Sequence, residues 1–120
     1  MHVLTVLYPE PKDRAAFEVY YLSTHLPLCQ KLPGVQEITF SLGIDQQGPG
    51  PTPYYGIFQA RFADAAAMEH ALNSPEGKAV EADVPNYATG GVIIMPFAAE
   101  RLAEISQSVS LEPGLPLANS

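Results

Sequence analysis

A chain of 120 residues is long enough for one domain with a modest core and too short for two. With 13 acidic against 6 basic residues the formal charge is -7, which opposes the phosphate neutralisation that nucleic-acid binding requires and equally opposes anionic membrane surfaces. The single cysteine, Cys29, excludes an internal disulfide, and the apolar run Val3 to Leu7 is too short for a signal sequence or a spanning helix, so a reducing cytoplasm is the expected compartment.

His2 to Tyr8 reads as a strand that is apolar on both alternations and is stopped by Pro9 and Pro11. Asp13 is suited to cap a helix over about Arg14 to Leu32, ended by Pro33-Gly34. At 100° per residue, Phe17, Val19, Tyr21, Leu22, His25, Leu26, Leu28, Cys29 and Leu32 fill a broad apolar arc on that helix. Pro27 lacks a backbone donor, so a bend or short break is expected around it, with the Ser23 carbonyl left free. Val35 to Gly43 alternates and puts Ile38, Phe40 and Leu42 on one face of a second strand. The stretch Ile44 to Pro53, with two glycines and three prolines, is a long irregular connection.

Tyr54 to Phe62 reads as a third strand, and Asp64 caps an Ala-rich helix through about Asn73 that Ser74-Pro75 continues or restarts. Thr89 to Phe97, centred on Val92-Ile93-Ile94-Met95, has the composition of a strand buried on both faces. The order strand, helix, strand, strand, helix, strand is the ferredoxin-like α+β plan, with a four-stranded antiparallel sheet carrying helices on one face. The other face must be solvated or docked, and the two-sided apolar character of the first and fourth strands predicts docking against a second subunit, hence a homodimer. Residues 1–97 form this domain. Residues 98–120 are an extension, a short helix over Ala98 to Ile105 followed by a loose tail.

The run Tyr20-Tyr21-Leu22-Ser23-Thr24-His25-Leu26-Pro27-Leu28, followed by Lys31-Leu32-Pro33-Gly34, resembles the signature of the EthD family. So does the later block from Ser74-Pro75-Glu76-Gly77 through Asp83-Val84-Pro85-Asn86 to Thr89-Gly90-Gly91. The resemblance covers residues 2–97 and implies a subunit that pairs face to face with its twin into a dimeric α+β barrel. Relatives of that architecture include cofactor-free monooxygenases, lactone isomerases, polyketide cyclases and haem-binding enzymes, so fold alone does not assign function.

His25 is the first candidate for chemistry, because a group that titrates near neutrality stands within an apolar arc, and the EthD motif falls on the same residue. A buried, neutral imidazole beside a cavity could remove a proton from an activated carbon or hydroxyl. The alternative is a core histidine bonded to a backbone carbonyl. Tyr21 and Cys29 lie four residues either side of His25 on the same surface, as a possible donor and thiol or as core filling. Glu18 is too far along the helix to orient His25, so a partner carboxylate would have to come from Glu37 or another strand residue. Phe40 and Phe58 are the expected walls of a pocket for a flat apolar molecule. His2, His25 and His70 are scattered, so no metal is expected, and no feature asks for a cofactor; haem would use His25 as its axial ligand. The expected ligand is a small hydrophobic metabolite, either processed by proton transfer at His25 or held for a partner oxygenase.

Overall fold

The computed structural model describes residues 1–45, 48–50 and 52–103. Strand β1 (His2–Pro9) leads into helix α1 (Arg14–Tyr20), a π-helical segment (Tyr21–His25) and a short helix α2 (Leu26–Cys29). Strands β2 (Glu37–Leu42) and β3 (Tyr54–Phe62) follow, then α3 (Ala65–Asn73), α4 (Pro75–Asp83), a 3-10 turn (Val84–Asn86) and β4 (Ile93–Ala98). The sheet order is β2-β3-β1-β4 with every neighbour antiparallel, which is the ferredoxin-like arrangement.

Side chains on the first helix decide its irregularity. Phe17, Tyr21, His25 and Cys29 are buried at a spacing of four, whereas a regular α-helix would swing the last of them about 120° from the first. The wider π turn, in which the Leu26 N–H donates to the Tyr21 carbonyl, absorbs part of that drift and keeps the four in one line. It also accommodates Pro27, which has no N–H to return to Ser23. The apolar arc is narrower than the sequence suggests: Val19 and Leu22 are exposed. The helix stops at Cys29, and the Leu32 N–H closes a turn onto the Cys29 carbonyl before Gly34, whose φ of 76° is favoured by glycine.

Asp13 and Asp64 cap α1 and α3 by accepting from the N–H groups of Ala16 and Ala67. Ser74 restarts the chain as α4, accepting from the Gly77 N–H at 3.0 Å. The core lies between these helices and the sheet, built on Leu4, Tyr8, Phe17, Tyr21, Phe58, Phe62 and Met68.

Two expectations need correction. The last strand begins at Ile93 rather than Thr89, because Gly91 turns the chain at a φ of 91°, and every one of its residues is exposed within the single chain, since β4 is an edge strand with one face bare and the helix-side face at this edge, where Ile94 lies, also left open. The helix expected from Ala98 is absent over the described residues. Ala98 pairs with His2 as the last residue of β4, the Ala99 N–H donates to the Met1 carbonyl, and 99–103 are irregular. The remainder of that expected helix, and the tail, lie outside the described residues.

Register fixes what each face carries. Leu4, Val6 and Tyr8 of β1 share the helix-side face with Phe58 and Ala60 of β3, Ile38 and Phe40 of β2, and Ile94 of β4. The opposite face carries Val3, Leu7, Ile57, Ile93, Met95 and Phe97 towards one edge, and Gln59, Thr39, Ser41 and a Glu37–Arg61 ion pair towards the other.

Candidate functional site

The end of the π segment delivers His25 into the layer between helices and sheet, where it is 2 % exposed. Its Nδ1 lies 2.9 Å from Oδ2 of Asp83, the last residue of α4. The other oxygen of that carboxylate accepts from the Tyr20 hydroxyl at 2.6 Å and from Nδ2 of Asn86 at 2.9 Å. The carboxylate is thus held by three donors, two of them from the first helical stretch and one from the turn after α4.

The electrostatics follow from burial and these bonds. Burial pulls His25 below its ordinary 6.5, against the opposing pull of Asp83, so the imidazole is neutral near pH 7. Burial raises the Asp83 carboxyl, but donation from Tyr20, Asn86 and His25 outweighs it and the acid stays ionised. An ionised carboxylate only accepts, so the Nδ1 of a neutral His25 must carry the proton and Nε2 must carry the lone pair. Among the described residues Nε2 has no hydrogen-bond partner in the protein.

His25 lines a cavity of about 300 Å³ between the helices and the sheet. Leu4 and Val6 of β1 and Phe58 of β3 line it from the sheet, with the exposed Ile94 of β4 at its edge, and Cys29, Leu32, Leu72, Val80 and Val84 line it from the helical side. Burial pushes the Cys29 thiol up to about 12, which keeps it protonated and a poor nucleophile. A side chain at Gly77 would overlap the carbonyls of Ala71 and Leu72, so glycine permits the close turn from α3 into α4 at this wall.

Behind the imidazole stands an aromatic group. Tyr87 lies 4.4 Å from the His25 ring and Tyr21 stacks on it at 5.5 Å, while the hydroxyls of Tyr8 and Tyr87 meet at 3.0 Å. The Tyr21 hydroxyl is sealed and makes no hydrogen bond of ordinary geometry, although the Tyr8 phenol is near enough to act on it electrostatically. Burial drives its acidity far out of the working range.

Of the residues picked out from sequence, His25, Cys29 and Phe58 line one cavity. Tyr21 is behind His25 and not on the cavity wall. Phe40 is not a wall either: it shares the right face of the sheet, but β2 is the edge strand away from the cavity, and the ring stands 45 % exposed against the edge of Tyr21. The carboxylate partner comes from α4, not from Glu37, which pairs with Arg61 at 3.0 Å. No local spacing in the sequence points to Asp83, which lies 58 residues from His25; the Asp83-Val84-Pro85-Asn86 block is the available signal. Among the described residues no three His, Cys, Asp or Glu side chains converge as metal ligands, and no helix is long and apolar enough to cross a membrane.

Comparison with known proteins agrees with this frame. An uncharacterised 11.0 kDa protein from the thcB-thcC intergenic region of Rhodococcus erythropolis is 38% identical over 96 residues, covering 79% of this chain and 91% of that one. A crystal structure of an EthD family protein from Bacillus halodurans superposes with a TM-score of 0.78 at 28% identity, over 83% of this chain and 99% of that one. A dimeric ferredoxin-like protein of unknown function from Thermobifida fusca shares the fold at a TM-score of 0.62 and 12% identity, over 82% of this chain and 90% of that one. The EthD domain model itself matches residues 9–91, which take in both His25 and Asp83, and on that match the chain belongs to the EthD family.

Proposed function

We propose that the protein takes a small, largely apolar molecule into the His25 cavity and moves a proton at Nε2 of His25, without a cofactor. The observation that supports this reading is the division of labour at the imidazole: Nδ1 is committed to Asp83, while Nε2 has no protein partner on a residue that lines the cavity. A base of this kind removes a proton from a C–H beside a carbonyl or from an enolic hydroxyl, and Asp83 stabilises the imidazolium that results. Apolar walls strengthen that charge pairing by excluding water. Isomerisation, cyclisation and the opening step of a cofactor-free oxygenation all begin with such a removal.

A carrier that holds the same molecule for a partner enzyme is the second reading. It is favoured by the rest of the inner wall, where the Cys29 thiol stays protonated and, among the described residues, no second acid or base reaches the buried end. The two separate on deuterium exchange in heavy water, followed by NMR over a panel of small 1,3-dicarbonyls and lactones. A catalyst accelerates exchange at the acidic carbon and loses that acceleration in His25→Asn; a carrier leaves the exchange rate untouched and binds as well with asparagine in place.

Two subunits pair through the bare sheet face in this reading. Ile93, Met95 and Phe97 are each about two-fifths exposed on that face, enough contiguous apolar surface to call for a partner. Its polar half supplies Glu37, Arg61 and Gln59 for the rim. The relative from Thermobifida fusca is described as dimeric. A reducing compartment suits the free thiol of Cys29.

A further inference from the structure

We infer that the molecule bound in this cavity is a monoanion, with one carboxylate or comparably acidic enol held at Lys78 and an apolar body reaching inward to His25. This rests on the cavity reading above and narrows its ligand class.

The lining residues sort by exposure. Leu4, Phe58, His25 and Cys29 are buried and mark the inner end, whereas Asn73, Lys78, Glu81 and the apolar Ile94 are exposed and mark the opening. Among the described residues Lys78 is the one cation lining the cavity, and no ion pair engages it. The whole chain carries 13 acids against 6 bases, Lys78 among them, so its general field repels anions. An ammonium at the mouth of an apolar cavity is therefore a local exception. Asn73 adds an amide donor on the same rim, and Glu81, one helical turn from Lys78, disfavours a second negative charge there.

Size and orientation follow. A space of 300 Å³ equals about ten waters of liquid, which suits a single ring or a short chain. A carboxylate would lose too much hydration among Leu4, Phe58 and Cys29, but at the opening it keeps water and gains the ammonium. The charged end then stays out, the apolar body goes in, and the far end meets Nε2 of His25. Because the pair is exposed, the discrimination it supplies is about two- to fivefold.

The test uses three molecules with one body and different heads: phenylacetate, phenylacetamide and 2-phenylethylammonium, each titrated into the 15N-labelled full chain. Phenylacetate should bind about two- to fivefold more tightly than the amide, and the ammonium weakest of all, with shifts at His25, Cys29 and Phe58. Lys78→Met should bring phenylacetate to the level of the amide while leaving the amide within about twofold, and Glu81→Gln should tighten phenylacetate. Equal affinities, tightest binding of the ammonium, an equal loss of all three in Lys78→Met, or no binding at millimolar concentration would each overturn the assignment. Deuterium exchange with His25→Asn reads the base separately, so failure here is distinguishable from failure there.

Discussion

His25 experiences two opposing influences, and the balance between them sets its chemistry. Burial disfavours the imidazolium, Asp83 favours it, and burial wins. Since the folded value lies below the ordinary 6.5, His25 adds to stability above 6.5 and that contribution is lost as pH falls through the folded value. Asp83 has the same sign, being held below its ordinary 3.8, so its contribution is lost at still lower pH. Urea denaturation as a function of pH should show stability declining below about 6.5, with a flatter upper part of the profile in His25→Asn. Asp83→Asn removes the group that raises the imidazole, so the titration of His25 followed by NMR should move lower still, and Nδ1 should no longer hold the proton exclusively. The importance of His25 was legible in sequence because a titrating group interrupts an apolar arc. Asp83 was not, since no local spacing reports a contact between two helices that far apart in the chain. Alternation gives the sheet face of Phe40 but not its position across the sheet, where β2 is an edge strand.

The elements around the site carry its geometry. A bend near Pro27 was readable because a missing N–H has only local consequences. That the chain would widen into a π turn was not, since the reason lies in aligning Phe17, Tyr21, His25 and Cys29 against a sheet that the helix sequence does not contain. The extension misled for a similar reason: Ala98 to Ile105 has helical composition, but pairing of Ala98 with His2 continues the strand, and Leu102 is fully exposed. At the junction of α3 and α4, Gly77→Ala should cost about 1–3 kcal/mol by calorimetry, because the new methyl meets the Ala71 and Leu72 carbonyls. An unchanged melting profile would mean that the two helices separate easily, and that this wall of the cavity is softer than its packing indicates.

At the scale of the molecule, strand order and helix placement are legible in the succession of periodicities, while the burial expected of β4 is not met within the single chain, where the strand is exposed. The same apolar residues satisfy both descriptions once a second subunit covers them, because composition reports that a face is covered and not by what. Replacing Met95 or Phe97 by aspartate on that face should weaken dimerisation by about 100-fold or more, measured by sedimentation or light scattering, and leave the fold intact. A wild-type chain that stays monomeric at high concentration would leave the apolar face unexplained. The functional claim turns on one nitrogen. The most direct test is 15N NMR of the His25 imidazole in the folded protein near neutral pH. The expected spectrum shows a neutral ring, protonated at Nδ1 and bare at Nε2, with Nε2 responding when a ligand enters the cavity. An imidazolium at that pH, or a proton resident on Nε2, would contradict it and remove His25 as the base.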